Sequence, residues 1–244
     1  MESVPEDNQN KTIHFRKINI FGDSKVGKSS LIDCMYNYND DNFQIKVDLN
    51  KSSKDEDSFK PSSIYNEQIK KVIFNINDNR KVYYNIYETT MSSYNEMKLN
   101  LEVLLEQTEC IIIMWDNSSS ETFDNIPYLV VTIESILNKE KFKNIPVFLV
   151  QNKKDLELND SRVSKPEEEI DKEVNILKNE HPNITHYKLS LLDKDDYPTF
   201  ILEIDRALYN QDKKKIKYHL NQLDLNIHLI WLKVKLIKII KRIQ

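Results

Sequence analysis

Glycine is almost absent from this chain: among 244 residues there are two, and both lie in one short segment, at Gly22 and Gly27. The segment reads Gly-Asp-Ser-Lys-Val-Gly-Lys-Ser and fits the pattern G-x-x-x-x-G-K-[ST]. An apolar run over 18–21 leads into it as a strand, and residues 29–35 continue with helical spacing. Because glycine can adopt backbone dihedrals closed to other residues, successive N–H groups can converge on phosphate oxygens at the positive end of the helix. The sequence therefore predicts a phosphate-binding loop.

Each part of this loop has a predicted role in holding a polyphosphate. Lys28 adds its charge at the terminal phosphates, and the Ser29 hydroxyl can bind Mg²⁺. A chance match in an ordinary turn is the alternative, and the order of strand, loop and helix argues against it. The predicted nucleotide-binding residues of the loop are Gly22, Asp23, Ser24, Lys25, Val26, Gly27, Lys28, Ser29 and Ser30.

Composition limits what else the chain can be. Its length suits one domain with extensions, and 39% hydrophobic residues are enough for a core. The net charge of −4 gives no reason to expect nucleic acid as a partner. We expect a cytoplasmic protein, because no apolar run is long enough to cross a bilayer and residues 1–12 do not resemble a signal peptide. Cys34 and Cys110 lie in apolar segments and are expected to be buried thiols, and no protein-built metal site is expected from the cysteines and histidines.

Apolar strands recur along the chain and alternate with helical segments. Continuous apolar runs such as 110–115 are typical of strands covered on both faces, which indicates a parallel sheet. Two earlier strands form a hairpin around the turn residues Asp78 and Asn79. The predicted strands cover residues 18–21, 68–77, 81–87, 110–115, 146–150 and 184–190. The sequence therefore predicts an α/β fold with a doubly wound, mostly parallel sheet and one antiparallel hairpin strand.

The predicted helices lie between and after these strands. Pro127 is expected to bend or split the helix that opens at Ser118, and Pro166 stands in the first turn of the helix that begins at Lys165. Further helical segments are predicted over 29–35, 99–105 and 197–209. We predict a polar tail at 1–12, a folded domain at 13–210 with a long loop at 36–60, and a C-terminal extension at 211–244.

A second polar group follows the buried strand at 146–150. Asn152, Lys153 and Asp155 stand at its carboxyl end, where ligands bind in such folds. With the phosphate loop upstream, the chain resembles the Ras superfamily of small GTPases over most of 13–210, and its loop looks most like that of the Rab branch. The resemblance implies that Asp155 accepts from the ring N–H and the exocyclic amine of guanine, that Lys153 lies along the base plane, and that Asn152 ties the strand end to the phosphate loop. Such a paired acceptor rejects adenine.

A third segment matches the family only in part. Ser190, Leu191 and Leu192 stand where the family has Ser-Ala-Lys. The family's base contact comes from a backbone N–H, which Leu191 can supply, whereas Leu192 lacks the usual lysine. The segment 116–126 also resembles the Rab segment after the same strand, and it supports the fold more than the function.

The first switch region of the family departs from its usual sequence here. A threonine after proline normally contacts Mg²⁺ and the γ-phosphate, and this chain offers Ser62 or Ser63 instead. The long loop before them leaves the choice open. The resemblance implies a metal site built from Ser29, one of these two serines and, through water, Glu88.

The second switch region departs further. Where the family reads Asp-x-x-Gly-Gln, this chain has Glu88, two threonines, Met91 and Ser92. With both glycines in the phosphate loop, no Asp-x-x-Gly can exist elsewhere. Met91 replaces a glycine whose N–H approaches the γ-phosphate, and Ser92 replaces the glutamine that orients the attacking water, so no catalytic residue is certain. Because phosphoryl transfer depends on positioning, hydrolysis is expected to be slow.

The C-terminal residues 229–243 place Leu and Ile on one helical face and most Lys and Arg residues opposite. Two roles stay open for this basic amphipathic helix: peripheral contact with an anionic membrane, or packing on the domain or on a partner. The sequence ends in Lys-Arg-Ile-Gln, so terminal-cysteine prenylation is not expected.

The leading hypothesis is a divergent small GTPase, an intracellular switch that binds GTP or GDP with Mg²⁺ and has effector or regulator proteins as partners. A pseudo-GTPase that serves as an interaction or scaffold module without hydrolysis is the alternative, favoured by Met91 and Ser92. An ATP-using P-loop enzyme is disfavoured by the Asn-Lys-Lys-Asp sequence at 152–155.

Overall fold

Runs of β-branched and other apolar residues form a central sheet of six strands. The computed structural model describes residues 12–37, 69–77, 80–90, 101–156, 166–193 and 196–218. The strands are β1 (Thr12–Gly22), β2 (Ile69–Asn77), β3 (Arg80–Thr90), β4 (Cys110–Asp116), β5 (Val147–Asn152) and β6 (Ile184–Lys188). Their order in the sheet is β2-β3-β1-β4-β5-β6. Among the strands that the structure describes, only the β2-β3 pair is antiparallel, so the predicted fold class, with its one hairpin strand, is confirmed.

The described helices connect and cover these strands. They are α1 (Lys28–Asn37), α2 (residues 101–105), α3 (Glu121–Asp124), α4 (Ile126–Leu137), α5 (Lys139–Lys143), α6 (Glu167–Glu180) and α7 (residues 196–218). The helix predicted over 118–137 is split at Asn125, because Pro127 lacks an N–H and is accommodated in the first turn of α4. The sequence did not predict α5. This helix is capped by Asn138, whose side chain accepts from the backbone N–H of Lys141 at 3.0 Å.

Several strands and helices are longer than predicted. Strand β1 starts at Thr12 and not at residue 18, and β3 continues to Thr90, because the two strands pair in parallel without interruption from Thr12↔Arg80 to Gly22↔Thr90. Helix α7 runs to residue 218 among the described residues, although an end at Tyr209 was predicted. The Lys-rich stretch 213–215 is compatible with helix, since lysine is a good helix former.

A core cluster of buried residues lies between the sheet and α2 to α6. Trp115 on β4 is fully buried, packs against Phe123 of α3 at 5.2 Å between ring centroids, and stacks on His186 of β6 at 5.3 Å. The cluster also includes Leu101, Leu105, Leu129, Ile133, Leu149, Ile170 and Val174. Cys110 is buried as predicted, whereas Cys34 is only half-buried because it lies near the end of α1, where its Sγ contacts the Leu191 carbonyl oxygen at 3.6 Å.

The chain divides into two compact units, residues 1–203 and 204–244. The first contains the sheet and α1 to α6. In the second, residues 204–218 are helical, and Lys213 lies over the ring of Tyr209 at 4.6 Å. The predicted boundary after residue 210 falls within α7. No helix in the described part of the chain combines the length and apolar character needed to cross a membrane.

Candidate nucleotide-binding site

The predicted site residues gather at one edge of the sheet, at the carboxyl ends of β1, β4 and β5. These strands are parallel, with Gly22 beside Met114 and Asp116 beside Asn152. Strand β1 lies between β3 and β4: the chain passes from β1 to the β2-β3 pair on one side and then from β3 to β4 on the other, so the strand order reverses at β1. In doubly wound folds ligands bind in the crevice at such a position.

The phosphate loop needs both of its glycines. Gly22 has φ +152° and Gly27 φ +105°, a region that favours residues without a β-carbon. A Cβ on Gly22 would lie 2.4 Å from the carbonyl oxygen of Met114, and one on Gly27 would lie 2.3 Å from Nδ2 of Asn152. Lys25 takes φ +66° without being glycine, which makes it an uncommon backbone position in this loop.

Lys28 begins α1 and folds back over the loop. Its Nζ donates to the carbonyl oxygens of Gly22 at 2.9 Å and Asp23 at 2.7 Å, and the residue is 4% exposed. Burial lowers the pKa of Lys28, and the charges of Glu88 and Asp23 oppose that effect. Burial raises the pKa of Asp23 against the Lys28 charge and a side-chain hydrogen bond with Asn125. The remaining loop residues are a buried Val26 and exposed Ser24, Lys25, Ser29 and Ser30.

The predicted metal ligands Ser29 and Glu88 meet in the structure. Ser29 lies in the first turn of α1 and Glu88 near the end of β3, and the Ser29 hydroxyl donates to Oε1 of Glu88 at 2.6 Å. Hydroxyl and carboxylate oxygens are ligands that Mg²⁺ prefers, so the two residues fit this ion. No group of three or more His, Cys, Asp or Glu among the described residues is arranged to hold a metal. Ser62, Ser63, Met91 and Ser92 lie outside the described residues, as do residues 38–60 of the predicted loop and the turn at 78–79. The loop was predicted to begin at residue 36, but residues 36 and 37 belong to the last turn of α1.

Asn152 joins three segments of the site. Its Nδ2 donates to the carbonyl oxygen of Val26 at 2.9 Å, which is the tie to the phosphate loop that the sequence predicted. Its Oδ1 accepts from the backbone N–H of Leu191 at 3.3 Å. That N–H, which the resemblance assigns to the base, therefore points at Asn152. The side chain is buried at 3% exposure, so these bonds are shielded from water.

The two other members of the Asn-Lys-x-Asp element have different environments. Lys153 has φ +62°, and its Nζ forms an ion pair with Oδ2 of Asp116. Asp155 is exposed, and no residue in the described part of the chain hydrogen-bonds to its carboxylate. A carboxylate in that state keeps both oxygens available as acceptors.

The segment at 190–192 is held by an ion pair across the site edge. Asp196 accepts from Nζ of Lys154 at 2.6 Å and from the backbone N–H of Ser190 at 3.0 Å. Burial raises the pKa of Asp196, but the hydrogen bonds from Lys154 and Ser190 outweigh burial and lower it. The Ser190 hydroxyl accepts from the backbone N–H of Leu192 at 3.2 Å, and the Leu192 side chain is exposed. The serine thus orders the turn that carries Leu191.

Sequence reasoning missed three residues of this site: Asp116, Asn125 and Asp196. Asp116 pairs with Lys153, Asn125 with Asp23, and Asp196 with Lys154. One signal was available, because Asp116 ends the strand beside β5, and polar residues at neighbouring carboxyl ends of parallel strands lie close together.

The sequence matches the family described as the Ras family over residues 17–209, which is most of the chain. No curated protein sequence matches the chain. The matched range covers β1 from Lys17 onward, β2 to β6, the phosphate loop and the segments around Asn152 and Ser190. The chain therefore belongs to the Ras family of small GTP-binding proteins.

Proposed function

We propose that this protein is a guanine-nucleotide-dependent switch that binds GTP and GDP with Mg²⁺ and hydrolyses GTP slowly. One observation carries the proposal: Asn152 hydrogen-bonds to Val26 in the phosphate loop and to Leu191 in the turn after β6. The segments to which the proposal assigns phosphate binding and base binding are thereby connected at one sheet edge, which supports a single nucleotide site. Family membership supports the same function, because members of the Ras family generally bind and hydrolyse GTP.

Base selection is assigned to Asp155. Guanine presents a ring N–H and an exocyclic amine side by side, and a carboxylate can accept from both. Adenine lacks this pair of donors, so its binding would leave a desolvated carboxylate unpaired, at a cost of several kcal/mol. The exposed Asp155 carboxylate, which no described residue engages, supports this role.

Phosphate and metal binding are assigned to Lys28, Ser29 and Glu88. Mg²⁺, when bound, supplies charge that offsets the negative phosphates. Ser29 and one of Ser62 or Ser63 would offer hydroxyl ligands, and Glu88 would hold a water of that ion. The close contact of Ser29 and Glu88 supports this assignment.

Slow hydrolysis is proposed from the second switch. Ser92 is too short to do what the family's glutamine does, which is to orient the attacking water, and Met91 brings a side chain where the family has none. The same two residues favour a second candidate function, a pseudo-GTPase that acts as an interaction module without hydrolysis.

We further propose the Rab branch from the loop sequence, with effector or regulator proteins as partners in the cytoplasm. Membrane contact through residues 229–243, which the structure does not describe, stays a proposal.

Two measurements test these functions. In the first, GTP and ATP compete for the purified protein, and the affinity for GTP is expected to exceed that for ATP by at least about a hundredfold. Preference for ATP would overturn the guanine assignment. In the second, single-turnover phosphate release is compared with that of Lys28→Ala. Release above this control supports a slow hydrolase, and release equal to it, with tight GTP binding retained, supports the pseudo-GTPase.

A further inference from the structure

Asp116 is a buried carboxylate whose two oxygens have separate partners. It ends β4, lies beside Asn152 in the sheet register, and is 8% exposed. Oδ1 accepts from the backbone N–H of Ser118 at 2.8 Å and from its hydroxyl at 2.7 Å. Oδ2 forms the ion pair with Nζ of Lys153. The two bonds from Ser118 fix the orientation of the carboxylate, so Oδ2 is held facing the lysine.

Lys153 depends on such a partner for a defined side-chain position. It follows β5 directly, its backbone is in the left-handed region at φ +62°, and its side chain is 33% exposed. A lysine with this exposure has many accessible rotamers, and ordering it costs conformational entropy. An ammonium held at a fixed carboxylate loses that freedom before any ligand binds.

We propose that Asp116 is a positioning residue for the base site: it holds Lys153 so that the aliphatic stem lies along one face of the guanine ring. Asp116 itself does not touch the nucleotide. The inference rests on the proposed function, because it presupposes a guanine base beside Lys153. It adds a residue of β4 to a base site otherwise built from the segments after β5 and β6.

Burial and fixed geometry distinguish this ion pair from an ordinary surface pair. Exposed lysine–carboxylate pairs contribute little, since both side chains move and water competes for each charge. Here the carboxylate is buried and held by two hydrogen bonds, so it cannot turn away into water. Loss of the carboxylate charge would leave Lys153 without an orienting partner, while the backbone around Lys153 would keep its conformation.

A double-mutant cycle separates positioning from a purely structural role. Affinities for GDP and IDP are measured by displacement of fluorescent GDP from wild type, Asp116→Asn, Lys153→Met and the double variant. Asparagine keeps Oδ1 as an acceptor for Ser118 but removes the charge. Asp116→Asn is expected to weaken GDP binding about tenfold, to weaken IDP binding by the same factor, and to add no loss in the Lys153→Met background. The control is Asp171→Asn on α6, which removes an ion-pair partner of Lys188, and it should bind GDP like wild type.

The outcomes distinguish this inference from the proposed function. If wild type binds no GDP, both fall. If wild type binds GDP but Asp116→Asn binds it equally well, only the inference is overturned. The same holds if Asp116→Asn lowers the GDP affinity of Lys153→Met by the same factor as it lowers that of wild type. Ser118→Ala is a second variant in case Asp116→Asn does not fold. It removes one of the two hydrogen bonds that orient the carboxylate and keeps its charge, and it is expected to weaken GDP binding about threefold, again only while Lys153 is present. Unchanged affinity in Ser118→Ala would count against positioning.

Discussion

The hydroxyl of Ser29 donates a 2.6 Å hydrogen bond to Oε1 of Glu88, so helix α1 and strand β3 meet through one pair of oxygen atoms. The resemblance described above aligns Glu88 with an aspartate of the family, and the glutamate side chain reaches the serine. The contact predicts that the Glu88 carboxylate takes part in the magnesium dependence of nucleotide binding.

Substitution Glu88→Gln is expected to raise, about tenfold, the Mg²⁺ concentration needed to slow GDP release by half, because a neutral amide is a weaker partner for the hydrated ion than a carboxylate. The measurement is release of fluorescent GDP across a magnesium titration. Glu88→Asp keeps the charge and should stay closer to wild type. An unchanged titration in Glu88→Gln would show that the carboxylate has no part in metal binding.

Alanine at either glycine is expected to destabilise the protein, and more severely at Gly22. A Cβ there meets the backbone carbonyl of Met114, which cannot move without disturbing β4, whereas at Gly27 it meets the side-chain end of Asn152. We expect the free energy of unfolding to fall by about 3–4 kcal/mol for Gly22→Ala and about 2 kcal/mol for Gly27→Ala. Urea unfolding measures both, with Asn179→Ala on the exposed face of α6 as a neutral control. A larger loss at Gly27 would contradict the contact geometry.

The half-buried ring of His186 predicts a pH dependence of stability. Burial, reinforced by the Lys188 charge, lowers the pKa of His186 from 6.5 to about 4. Between these values the unfolded chain binds more protons than the folded chain, so the contribution is present above pH 6.5 and is lost as pH falls toward 4. His186→Phe keeps a ring against Trp115 and removes the titration. We expect wild type to lose about 2 kcal/mol more than this variant between pH 6.5 and 4.5 in urea unfolding. Parallel losses would refute the assignment to His186.

The base preference is expected to depend on Asp155. IDP has the ring N–H of GDP but lacks the exocyclic amine, so a carboxylate that accepts from both donors should favour GDP by roughly tenfold or more. In Asp155→Asn that preference should fall to about one, because an amide cannot accept from both donors. Competitive displacement of fluorescent GDP gives the ratio, and Glu168→Gln in the first turn of α6 is the control. A preference retained in Asp155→Asn would place recognition of the amine elsewhere.

Much of the fold could be predicted from the sequence, because buried parallel strands are continuous apolar runs. The run at 110–115 and the run before Asn152 identified β4 and β5 within a residue or two. The ends of β1 and β3 could not be found this way. Their residues there form no continuous apolar run, and they become strand by backbone pairing with each other, which no single segment encodes. Helix α5 was missed because five residues are too few for a periodic signal.

The candidate site was predictable where a local motif exists and not where it depends on distant pairs. The phosphate loop and the residues after β5 follow short patterns, and the structure brings Val26, Asn152 and Leu191 together. The pairing of Asp116 with Lys153 joins residues that are 37 positions apart, and no short sequence pattern contains both of them. Such contacts are set by strand register, which becomes visible only when the sheet is assembled.

The paired hydrogen bonds of Asn152 also bear on how a bound molecule would escape. Under the proposed function, one amide group would connect the loop that holds the phosphates to the turn beside the base, so movement of one segment would be transmitted to the other. A regulator that broke the hydrogen bond between this amide and Val26 would weaken phosphate binding and base binding together. Nucleotide release would then have one rate-limiting step and not two successive ones.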